Sequence, residues 1–519
     1  MTGDRPFGHR SLGLRVRAFE KGDGVGGTWF WNRYPGAMSD TESPFYRYSF
    51  DEALLQEWSW ERKYIDGPDI LAYLEAVVDR HDLLKDIQLS TEITGMTFDE
   101  EAETWTVTSA AGESWTARYV VTSLGLLAAV NVPDIPGIDT FRGTLVHTAH
   151  WPDDLSIDGK RVGVVGTGST GSQFIVAASK TASHLTVFQR SAQYSVPSGN
   201  GPTTPEEVAD YKSRYPEIWE QVRNSSVAFG FEESTIAASS VTPEERDRVF
   251  QEAWDRGNGF FFMFGTFNDI PTDPESNEAA AAFIRRKIAE KVKDPETARK
   301  LTPTQPYAKR PLCNVGYYDL YNQDNVELVS IKENPIVEIT PEGIKTADGV
   351  VHELDVIVMA TGFDAVDGNY RRMDIRGRDG QTVDEHWADA PTSYLGVATA
   401  GFPNMFMILG PNGPFTNLVP SIEVQVEFVT KLIAAAEQQG GTIETTQEFE
   451  DAWSEECTSI ANATLFPKTD SWIFGANIPG KKHTVLFYLG GMASYRGVLD
   501  DVQQAGLRGF EVKSKAVAA

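Results

Sequence analysis

Short apolar segments alternate with longer amphipathic segments in the first quarter of the chain. Residues 14–20 alternate apolar and polar side chains and end in an acid, which predicts a strand, and the glycine-rich run that follows predicts a loop. Apolar residues recur at helical spacing over 68–84, and residues 103–109 and 114–123 show the alternation of strands. The proline-rich segment 131–137 predicts a linker that closes this part.

A second region of the same kind follows the linker. Residues 160–166 predict a short apolar strand, 169–180 a helix and 185–190 the next strand, which together make a βαβ unit. Strands are predicted again at 326–331 and 355–359. This order of elements indicates an α/β fold.

The segment between these two sets of strands has a different character. Residues 203–302 are rich in Glu, Lys, Ala and Arg and contain the helix-start signals T-P-E-E-V and T-P-E-E-R, which predict a helical insertion. From about residue 369 onward the pattern mixes loops, a short strand at 405–409 and a helix over 421–439. A small-residue tail occupies 513–519.

The charge balance excludes some partners. The chain has 519 residues, which predicts two or three domains. It carries 46 Lys and Arg residues against 74 Asp and Glu residues, a formal net charge of -28. Acidic residues outnumber basic ones, so no excess of positive charge is available to neutralise phosphates. This balance argues against nucleic acids and anionic membrane surfaces as partners.

The cysteines and histidines predict neither a disulfide framework nor a metal site. The two cysteines are Cys313 and Cys457, and the eight histidines lack the spacing of metal ligands. The start of the chain has no apolar run of signal-peptide length, and no later segment approaches the roughly 18 apolar residues of a membrane span. The expectation is a cytoplasmic protein with no membrane segment.

A glycine-rich turn links the first strand and helix of the βαβ unit. Gly166, Gly168 and Gly171 follow a strand and open a helix, where glycines let the backbone approach a pyrophosphate at the helix N-terminus. The next strand ends in Arg190 rather than an acid, and arginine suits the extra ribose phosphate of NADP. The turn therefore predicts an NADP site; the alternative is that Arg190 is a solvated strand end.

The segment just before this turn carries a second, more specific motif. Residues 141–152 read F-R-G-T-L-V-H-T-A-H-W-P, with Phe141, Gly143, His147 and Trp151 at fixed spacing. Together with the glycine-rich turn, this motif resembles that of the Baeyer–Villiger monooxygenases, class B flavoprotein enzymes. The resemblance covers residues 14–495 and is greatest to the cyclohexanone monooxygenases. The runs that carry it are Y-A-K-R-P-L-C-N-V-G-Y-Y at 307–318, A-T-G-F-D-A-V-D-G-N-Y at 360–370, G-P-N-G-P-F-T-N-L at 410–418 and S-W-I-F-G-A-N-I-P-G-K-K at 471–482.

The resemblance implies a fold and an activity. It implies two dinucleotide-binding, Rossmann-like domains: an FAD domain from residues 1–135 and 369–519, and an NADP domain from 136–202 and 303–368, with the helical insertion at 203–302. It also implies that NADPH reduces FAD and that O2 then forms a flavin peroxide. The peroxide attacks a ketone to give a lactone or ester, of the kind that leads from cyclohexanone to caprolactone.

The expected flavin site is incomplete at its start. By resemblance, Glu20 is the ribose-binding acid, and the marker G-G-T-W-F-W-N-R-Y-P-G-A-M-S-D at 26–40 supplies Gly26, Gly27, Thr28, Trp29 and Asp40. A glycine-rich loop is expected before the strand that ends at Glu20. Only Gly3, Gly8 and Gly13 precede that strand. Either the natural chain begins further upstream, or this chain lacks a strand and the loop that would contact the FAD pyrophosphate.

Arg310 is the predicted catalytic residue. The reaction develops negative charge beside the ketone carbonyl, and a permanently charged arginine with several directed donors stabilises such charge. By resemblance, Asp40 lies against Arg310 and orients it, and Lys309 reaches the 2′-phosphate of NADP. The alternatives are a solvated arginine for Arg310 and a turn-starting aspartate for Asp40.

The remaining expected site residues also follow from the resemblance. His147 and Trp151 are expected where the two nucleotide domains join, and Trp472 in a mobile segment that folds over NADP; ordinary core packing is the alternative for each. Ser169, Thr170 and Ser191 are expected to contact NADP. The ketone pocket is expected to be lined by Leu126, Phe229, Phe260, Phe262 and Phe415, although phenylalanine-rich runs also form plain core.

Two other functions remain open on the sequence alone. One is a heteroatom-oxidising flavin monooxygenase, which acts on amines or sulfides and does not need the arginine. The other is an inactive remnant that cannot hold FAD, which the absent glycine-rich loop favours. The bound cofactors expected for the main prediction are FAD and NADPH, and the reactants are a small-molecule ketone and O2.

Overall fold

A parallel sheet forms the centre of the structure. The computed structural model describes residues 12–514. Within that range, five parallel strands lie in the order Val326–Ser330, His184–Gln189, Arg161–Val165, Val356–Met359 and Thr144–His147. The interior strands Arg161–Val165 and Val356–Met359 are almost wholly apolar and buried, as expected for a parallel sheet covered on both faces.

The predicted βαβ unit is present, with ends that differ by at most two residues from the predicted ones. The helix Ser169–Ala178 connects the adjacent strands Arg161–Val165 and His184–Gln189. An antiparallel sheet of Ile336–Thr340, Gly343–Thr346 and Val351–Glu353 precedes the strand Val356–Met359. These observations establish an α/β fold for this part of the chain.

Helices fill the region 203–302. They are Pro205–Ser213, Tyr215–Asn224, Pro243–Arg256, Pro274–Lys291 and Pro295–Leu301, with a π-helical turn at Phe261–Gly265. The two T-P-E-E signals begin helices as predicted, because Thr204 and Thr242 each accept a hydrogen bond from a backbone N–H in the first turn. Proline in the first turn is also typical of helix starts.

The chain enters and leaves the insertion at adjacent positions. The short strand Ser195–Val196, just before the insertion, pairs in parallel with Leu312–Cys313, just after it. The K-R-P-L-C run therefore returns beside the βαβ unit. This pairing brings Arg310 close to the glycine-rich turn.

The rest of the chain forms a second set of sheets and helices. The parallel pairs are Ala18–Phe19 with Ile87–Gln88, Val120–Thr122 with Met405–Met407, and Gly413–Pro414 with Phe487–Tyr488. Asp374–Arg376, Ile93–Asp99, Thr104–Ser109 and Ser114–Ala117 form a mixed sheet, and Gly441–Thr445 pairs antiparallel with Phe510–Ser514. The helices are Thr28–Trp31, Glu52–Glu57, Gly67–Arg80, Val383–His386, Leu418–Gln439, Gln447–Asn462 and Met492–Gln504.

Several predicted strands were wrong in extent. The strand predicted at 14–20 is limited to Ala18–Phe19, because the ladder to Ile87–Gln88 includes only those residues. The strand predicted at 114–123 is two strands, since the chain leaves the mixed sheet after Ala117 and joins Met405–Met407 from Val120. The strand predicted at 405–409 ends at Met407.

The predicted helices also needed correction. The helix predicted at 68–84 is Gly67–Arg80, which begins where the Asp66 side chain accepts from the Asp69 N–H. The helix predicted at 421–439 begins three residues earlier, at Leu418. A turn of helix, Thr28–Trp31, lies within the predicted loop, and the helices Gln447–Asn462 and Met492–Gln504 were not predicted. No helix in the described part of the chain combines the length and apolar character that crossing a membrane requires.

Gly171 is expected to be indispensable to the packing of the βαβ unit. A Cβ at this helical position would lie 2.2 Å from the Gly166 carbonyl oxygen. We expect Gly171→Ala to lower the free energy of unfolding by about 2 kcal/mol or more, because backbone cannot move away as a side chain can. Urea denaturation measures this change.

Gly497 provides the matched control. It is also helical, but a Cβ there would meet no atom within 4 Å. We expect Gly497→Ala to raise stability by about 0.5–1 kcal/mol through the higher helix propensity of alanine. Equal effects of the two substitutions would contradict the packing argument.

Candidate active site

An ion pair between Arg310 and Asp40 lies at the centre of the candidate site. Nη1 of Arg310 is 2.7 Å from Oδ2 of Asp40 and donates to Oγ of Ser169 at 3.1 Å. The Ser169 hydroxyl donates to the same Asp40 oxygen at 3.2 Å. The Asp40 side chain is 5% exposed and that of Arg310 is 27% exposed. The carboxylate is therefore enclosed, while the guanidinium keeps an open side.

A second set of contacts holds the other oxygen of Asp40. Nε2 of Gln173 donates to Oδ1 of Asp40 at 3.2 Å and to the Met38 carbonyl at 3.0 Å. The Tyr34 hydroxyl donates to Oε1 of Gln173 at 2.8 Å, and burial raises the pKa of Tyr34. Because the carboxylate is bound on both oxygens, its orientation toward Arg310 is fixed. The sequence analysis missed Gln173 and Tyr34.

The glycine-rich turn lies on the Ser169 side of the ion pair. Gly166 has φ of 109°, and a Cβ there would lie 2.5 Å from the Ala360 carbonyl oxygen. Gly168 is exposed, and the space where its Cβ would point is open. Ser169 and Thr170 begin the helix, whose first N–H groups face this space. The geometry suits an anionic group at the helix N-terminus.

Basic side chains gather at the end of the neighbouring strand. Arg190 is exposed immediately after His184–Gln189, and the Ser191 carbonyl accepts from the Thr167 hydroxyl at 3.3 Å. Burial lowers the pKa of Lys309 to about 8; Asp470 opposes this shift and the nearby charge of Arg190 adds to it. The positive charges of Lys309 and Arg190 therefore act on each other electrostatically.

The residues of the 141–152 motif have packing contacts. A Cβ on Gly143 would lie 2.4 Å from the Asp355 carbonyl oxygen, and Phe141 packs into the adjacent core. The Trp151 ring lies 5.5 Å from that of Phe174, between centroids. Nδ1 of the buried His147 accepts from the Ala149 N–H at 3.1 Å. Each residue lies next to the sheet or its helix, and none of these contacts involves Arg310.

Apart from Asp40, the residues expected to hold FAD lie on a separate turn. Glu20 follows Ala18–Phe19 and accepts from the Gly22 N–H at 2.7 Å. Gly26 and Gly27 have φ of 118° and 52°, and Thr28 and Trp29 begin the helical turn Thr28–Trp31. Nε1 of Trp29 donates to the Tyr46 hydroxyl at 3.1 Å. Gly3 and Gly8, which precede the predicted strand, lie outside the described residues.

The phenylalanines expected to line a ketone pocket occupy different surroundings. The Phe260 ring stacks on Phe229 at 3.9 Å, and Cζ of Arg310 lies 5.6 Å from the Phe260 centroid. Phe415 contacts Phe487 and Trp472, at 5.3 and 6.2 Å between centroids. The structure therefore brings Phe229 and Phe260 to the ion pair.

Phe262 and Leu126 have different roles in the packing. Phe262 is fully buried among Phe250, Phe283 and Tyr307, which is a core position. Leu126 is buried, and its carbonyl accepts from the Val366 N–H at 2.9 Å. Both belong to a different apolar cluster from the one that holds Phe229 and Phe260.

The segment that carries Trp472 is anchored at its far end. Lys481 forms ion pairs with Asp364 and Asp367, in the A-T-G-F-D-A-V-D run. Nδ2 of Asn477 donates to the Phe363 carbonyl at 2.8 Å. Trp472 itself is only partly buried. The segment is thus tied to the strand end next to the central sheet.

A cavity of about 1350 Å³ lies apart from the ion pair. Its walls come from the helices Glu52–Glu57, Gly67–Arg80, Tyr215–Asn224 and Leu418–Gln439. Gly26 is the one predicted site residue of the described chain that lines it. The cavity therefore lies outside the set of predicted catalytic and dinucleotide-binding residues, apart from Gly26.

Comparison with known proteins shows what this chain is similar to. The profile of the flavin-binding monooxygenase-like family matches residues 11–199. A phenazine N-monooxygenase of Lysobacter antibioticus is 58% identical over 504 residues, 97% of this chain and 93% of the relative. A Baeyer–Villiger monooxygenase of Pseudooceanicola batsensis is 54% identical over 495 residues, 95% of this chain and 91% of the relative.

A solved structure agrees with these relationships. The crystal structure of cyclohexanone monooxygenase from Rhodococcus sp. Phi1 bound to NADP+ superposes with a TM-score of 0.96 at 60% identity, covering 98% of this chain and 96% of that one. The chain belongs to the Baeyer–Villiger monooxygenase family. The predicted family is thereby confirmed, as is the α/β fold of two Rossmann-type domains.

The buried His147 is expected to make stability depend on pH. Burial, with the nearby His150 as a smaller cause, lowers the pKa of His147 from its ordinary value to about 4. At acidic pH the unfolded chain therefore binds a proton at His147, and the folded chain does not. The contribution of His147 to the free energy of unfolding is complete above about pH 6.5 and is lost as the pH falls toward 4. We expect a loss of about 2 kcal/mol at pH 5.

His147→Asn isolates this effect. Asparagine keeps an acceptor for the Ala149 N–H and does not titrate. Urea denaturation of both proteins at pH 7.5 and pH 5 gives the two pH differences. Identical differences for the two proteins would show that His147 contributes nothing.

Proposed function

We propose that this protein uses FAD, NADPH and O2 to convert ketones into esters or lactones, with cyclic ketones of cyclohexanone size as the substrate class. The observation that carries the proposal is the Arg310–Asp40 ion pair. It lies between the first turn of the helix Ser169–Ala178 and the stacked rings of Phe229 and Phe260. A cation is thus held between a dinucleotide-binding turn and an apolar wall.

The described residues fit FAD on its ribose side. Glu20 ends a strand with its carboxylate at a turn, and the space where a Cβ on Gly27 would point is open. Glu20, Gly26, Gly27, Thr28, Trp29 and Asp40 are the residues proposed to hold it. When bound, FAD accepts hydride from NADPH and activates O2. The likeness to a family of flavin-binding proteins supports this assignment.

NADPH is proposed to bind across the second turn. Gly166, Gly168 and Gly171, with Ser169 and Thr170, offer backbone N–H groups to the pyrophosphate. Arg190, Ser191 and Lys309 lie where the ribose phosphate is expected. Trp472, on the anchored segment, is proposed to cover the dinucleotide. The structure bound to NADP+ that this chain resembles supports the proposal.

Arg310 is proposed to stabilise the negative charge that develops at the ketone oxygen. A guanidinium remains protonated at any working pH, and its enclosed carboxylate partner fixes its direction. Phe229 and Phe260 exclude water and offer an apolar surface to the rest of the ketone. Phe415 and Leu126 are proposed to complete this wall. Phe262 is fully buried in the neighbouring core and is not proposed to face the ketone.

The division of the chain into domains is proposed to follow the sheets. The FAD domain would comprise 1–135 and 369–519, and the NADP domain 136–202 and 303–368. The five-stranded parallel sheet draws its strands from the second set of ranges, which supports the division. The insertion 203–302 contributes Phe229 and Phe260. Its helices then supply one wall of the substrate site.

Heteroatom oxidation is a second candidate function. The 58% identity to a phenazine N-monooxygenase favours it. Electrophilic transfer of oxygen to nitrogen produces no negatively charged carbonyl oxygen. This reaction therefore does not require Arg310. The two candidates therefore differ in how much each depends on the arginine.

Replacing Arg310 tests the proposal and separates the candidates. With FAD, NADPH and air supplied, we expect the unmodified protein to convert cyclohexanone to caprolactone. We expect Arg310→Ala to lower kcat for the ketone by ~100-fold or more, because one preorganised donor to a developing oxyanion is lost. Product formation is measured by gas chromatography, alongside N-oxidation of phenazine.

Arg142→Ala is the control, since Arg142 is largely exposed and its partner Glu342 is a surface residue. It should leave both activities unchanged. A protein that binds FAD and oxidises phenazine but never the ketone would refute ketone oxidation and establish the second candidate. A preparation that retains no flavin absorbance after incubation with FAD and removal of the unbound cofactor would refute both.

NADPH affinity is expected to fall as pH rises above 8. The pKa of Lys309 is about 8 in the free protein, and a bound 2′-phosphate raises it, so bound Lys309 stays charged. Full affinity is therefore present below pH 8, and Kd should rise about tenfold between pH 7 and pH 9. Isothermal titration with NADP+ measures the change.

Two controls identify the charge responsible. NAD+, which lacks the 2′-phosphate, should show no comparable pH dependence. Lys309→Arg keeps a permanent charge and should flatten the NADP+ profile. A profile that stays steep in Lys309→Arg would assign the effect to another group.

A further inference from the structure

Asn258 has an unusual backbone conformation for its position. It follows Gly257 at the end of the helix Pro243–Arg256 and is 1% exposed, with φ of 85°. Non-glycine residues rarely adopt this region, and asparagine is among the few that tolerate it. An ordinary surface turn gives no reason to bury such a residue. The explanation is therefore to be found in its side chain.

The Asn258 side chain connects two parts of the molecule. Its Oδ1 accepts from the N–H groups of Phe260 and Phe261, both at 3.0 Å, at the start of the π-helical turn Phe261–Gly265. Its Nδ2 donates to Oε1 of Glu42 at 2.9 Å. An uncharged amide can accept both bonds on its oxygen while its nitrogen donates to a carboxylate.

Glu42 ties this contact to the ion pair. It is buried two residues after Asp40, and its Oε1 lies 3.6 Å from Nζ of Lys63. The segment that carries the Asp40 carboxylate is therefore joined directly to the segment that carries Phe260. No other hydrogen bond between these two segments occurs in the described part of the chain.

The backbone around Asn258 is held on both sides. A Cβ on Gly257 would lie 2.5 Å from the Gly199 nitrogen, and one on Gly259 would lie 2.9 Å from the Leu312 carbonyl oxygen. These two contacts are with the chain entering and leaving the insertion. These backbone contacts limit the movement of the turn. The hydrogen bonds of the Asn258 side chain then set the orientation of Phe260, two residues later.

The orientation of Phe260 matters because of the groups around its ring. Its ring stacks on Phe229 at an interplanar angle of 18° and lies 5.6 Å from the guanidinium carbon of Arg310. A small rotation of the turn would move the ring relative to the cation. The open side of Arg310 would then face a differently shaped wall.

We propose that Asn258 is a positioning residue, which through Glu42 fixes the Phe260 ring against Arg310 and thereby determines which ketones the site accepts. This inference rests on the proposed function. Asn258 is 1% exposed, and its side chain contacts other residues of the protein. It acts on specificity through the placement of Phe260.

Variants of the full chain, supplied with FAD, test the proposal. Asn258→Gly permits the backbone conformation and removes all three side-chain hydrogen bonds. We expect KM for cyclohexanone to rise about tenfold, with kcat and KM for NADPH within about twofold. Glu42→Gln keeps an acceptor for Nδ2 and should raise KM by no more than about threefold.

Asn258→Asp supplies a pH signature. The introduced carboxylate still accepts from the two N–H groups but faces Glu42, and two like charges repel. Two titratable groups face the Glu42 end of this contact: Nζ of Lys63 lies 3.6 Å from Oε1 of Glu42, and the Tyr64 hydroxyl donates to the same oxygen at 3.5 Å. The ion pair of Asp40 with Arg310 begins two residues earlier in the chain. We expect KM near that of the unmodified protein at pH 6 and a several-fold rise by pH 9. The unmodified protein should show no such rise.

Asn404→Gly is the matched control for a merely structural effect. Asn404 is also buried, with φ of 58°, and its Oδ1 accepts from the Ile443 N–H at 2.8 Å, away from Arg310. We expect this variant to lose thermal stability and to retain its KM for ketone. An equal rise in KM for both asparagine variants would overturn the proposal.

A readout that needs no turnover separates the inference from the proposed function. 4-Fluorophenylalanine at position 260 should give one ring-current-shifted ¹⁹F resonance because of the Phe229 ring. We expect that resonance to move and broaden in Asn258→Gly and to stay in Asn404→Gly. An unmoved resonance in Asn258→Gly overturns the positioning role. A moved resonance without any ketone turnover supports the role and refutes the proposed function.

Discussion

The ion pair between Arg310 and Asp40 is the constraint on which the site depends. A partly exposed arginine alone would sample many rotamers, and its charge would be spread over the surface. Here the carboxylate is bound on both oxygens, by Ser169 and Gln173, and so presents one fixed direction to the guanidinium. Both of those side chains belong to the helix that opens at the glycine-rich turn. The same helix therefore serves the dinucleotide turn and the orientation of the cation.

The sequence pattern predicted correctly those elements whose boundaries depend on residues close to them in the chain. Gly166, Gly168 and Gly171 stand between a short apolar strand and a helix, and the structure has this arrangement with ends shifted by at most two residues. The T-P-E-E signals likewise begin helices, since a cap and its N–H lie within one turn. Where a boundary depended on a distant partner, as at residues 114–123, the prediction was wrong.

The site needed more than local pattern. Asp40 and Arg310 are far apart in the chain, and nothing in either stretch alone indicates that they meet; the resemblance to a known family suggested it. Gln173 and Tyr34 were missed because a glutamine and a tyrosine in ordinary helical or loop sequence carry no signal of their hydrogen bonds. Phe262 was predicted to line the same pocket as Phe260. Residues two apart in this helical turn point in different directions, and Phe262 is buried in the core.

The parallel pairing of Ser195–Val196 with Leu312–Cys313 joins the entrance and the exit of the helical insertion. Everything between these strands forms a lobe whose two ends lie side by side, so a change in the length or sequence of the lobe leaves the spacing of its attachment points intact. The charged machinery belongs to the sheet domains, whereas Phe229 and Phe260 belong to the lobe. Substitutions within the lobe can therefore reshape the surface of Phe229 and Phe260 without altering the strand pairing that holds Arg310 next to the glycine-rich turn.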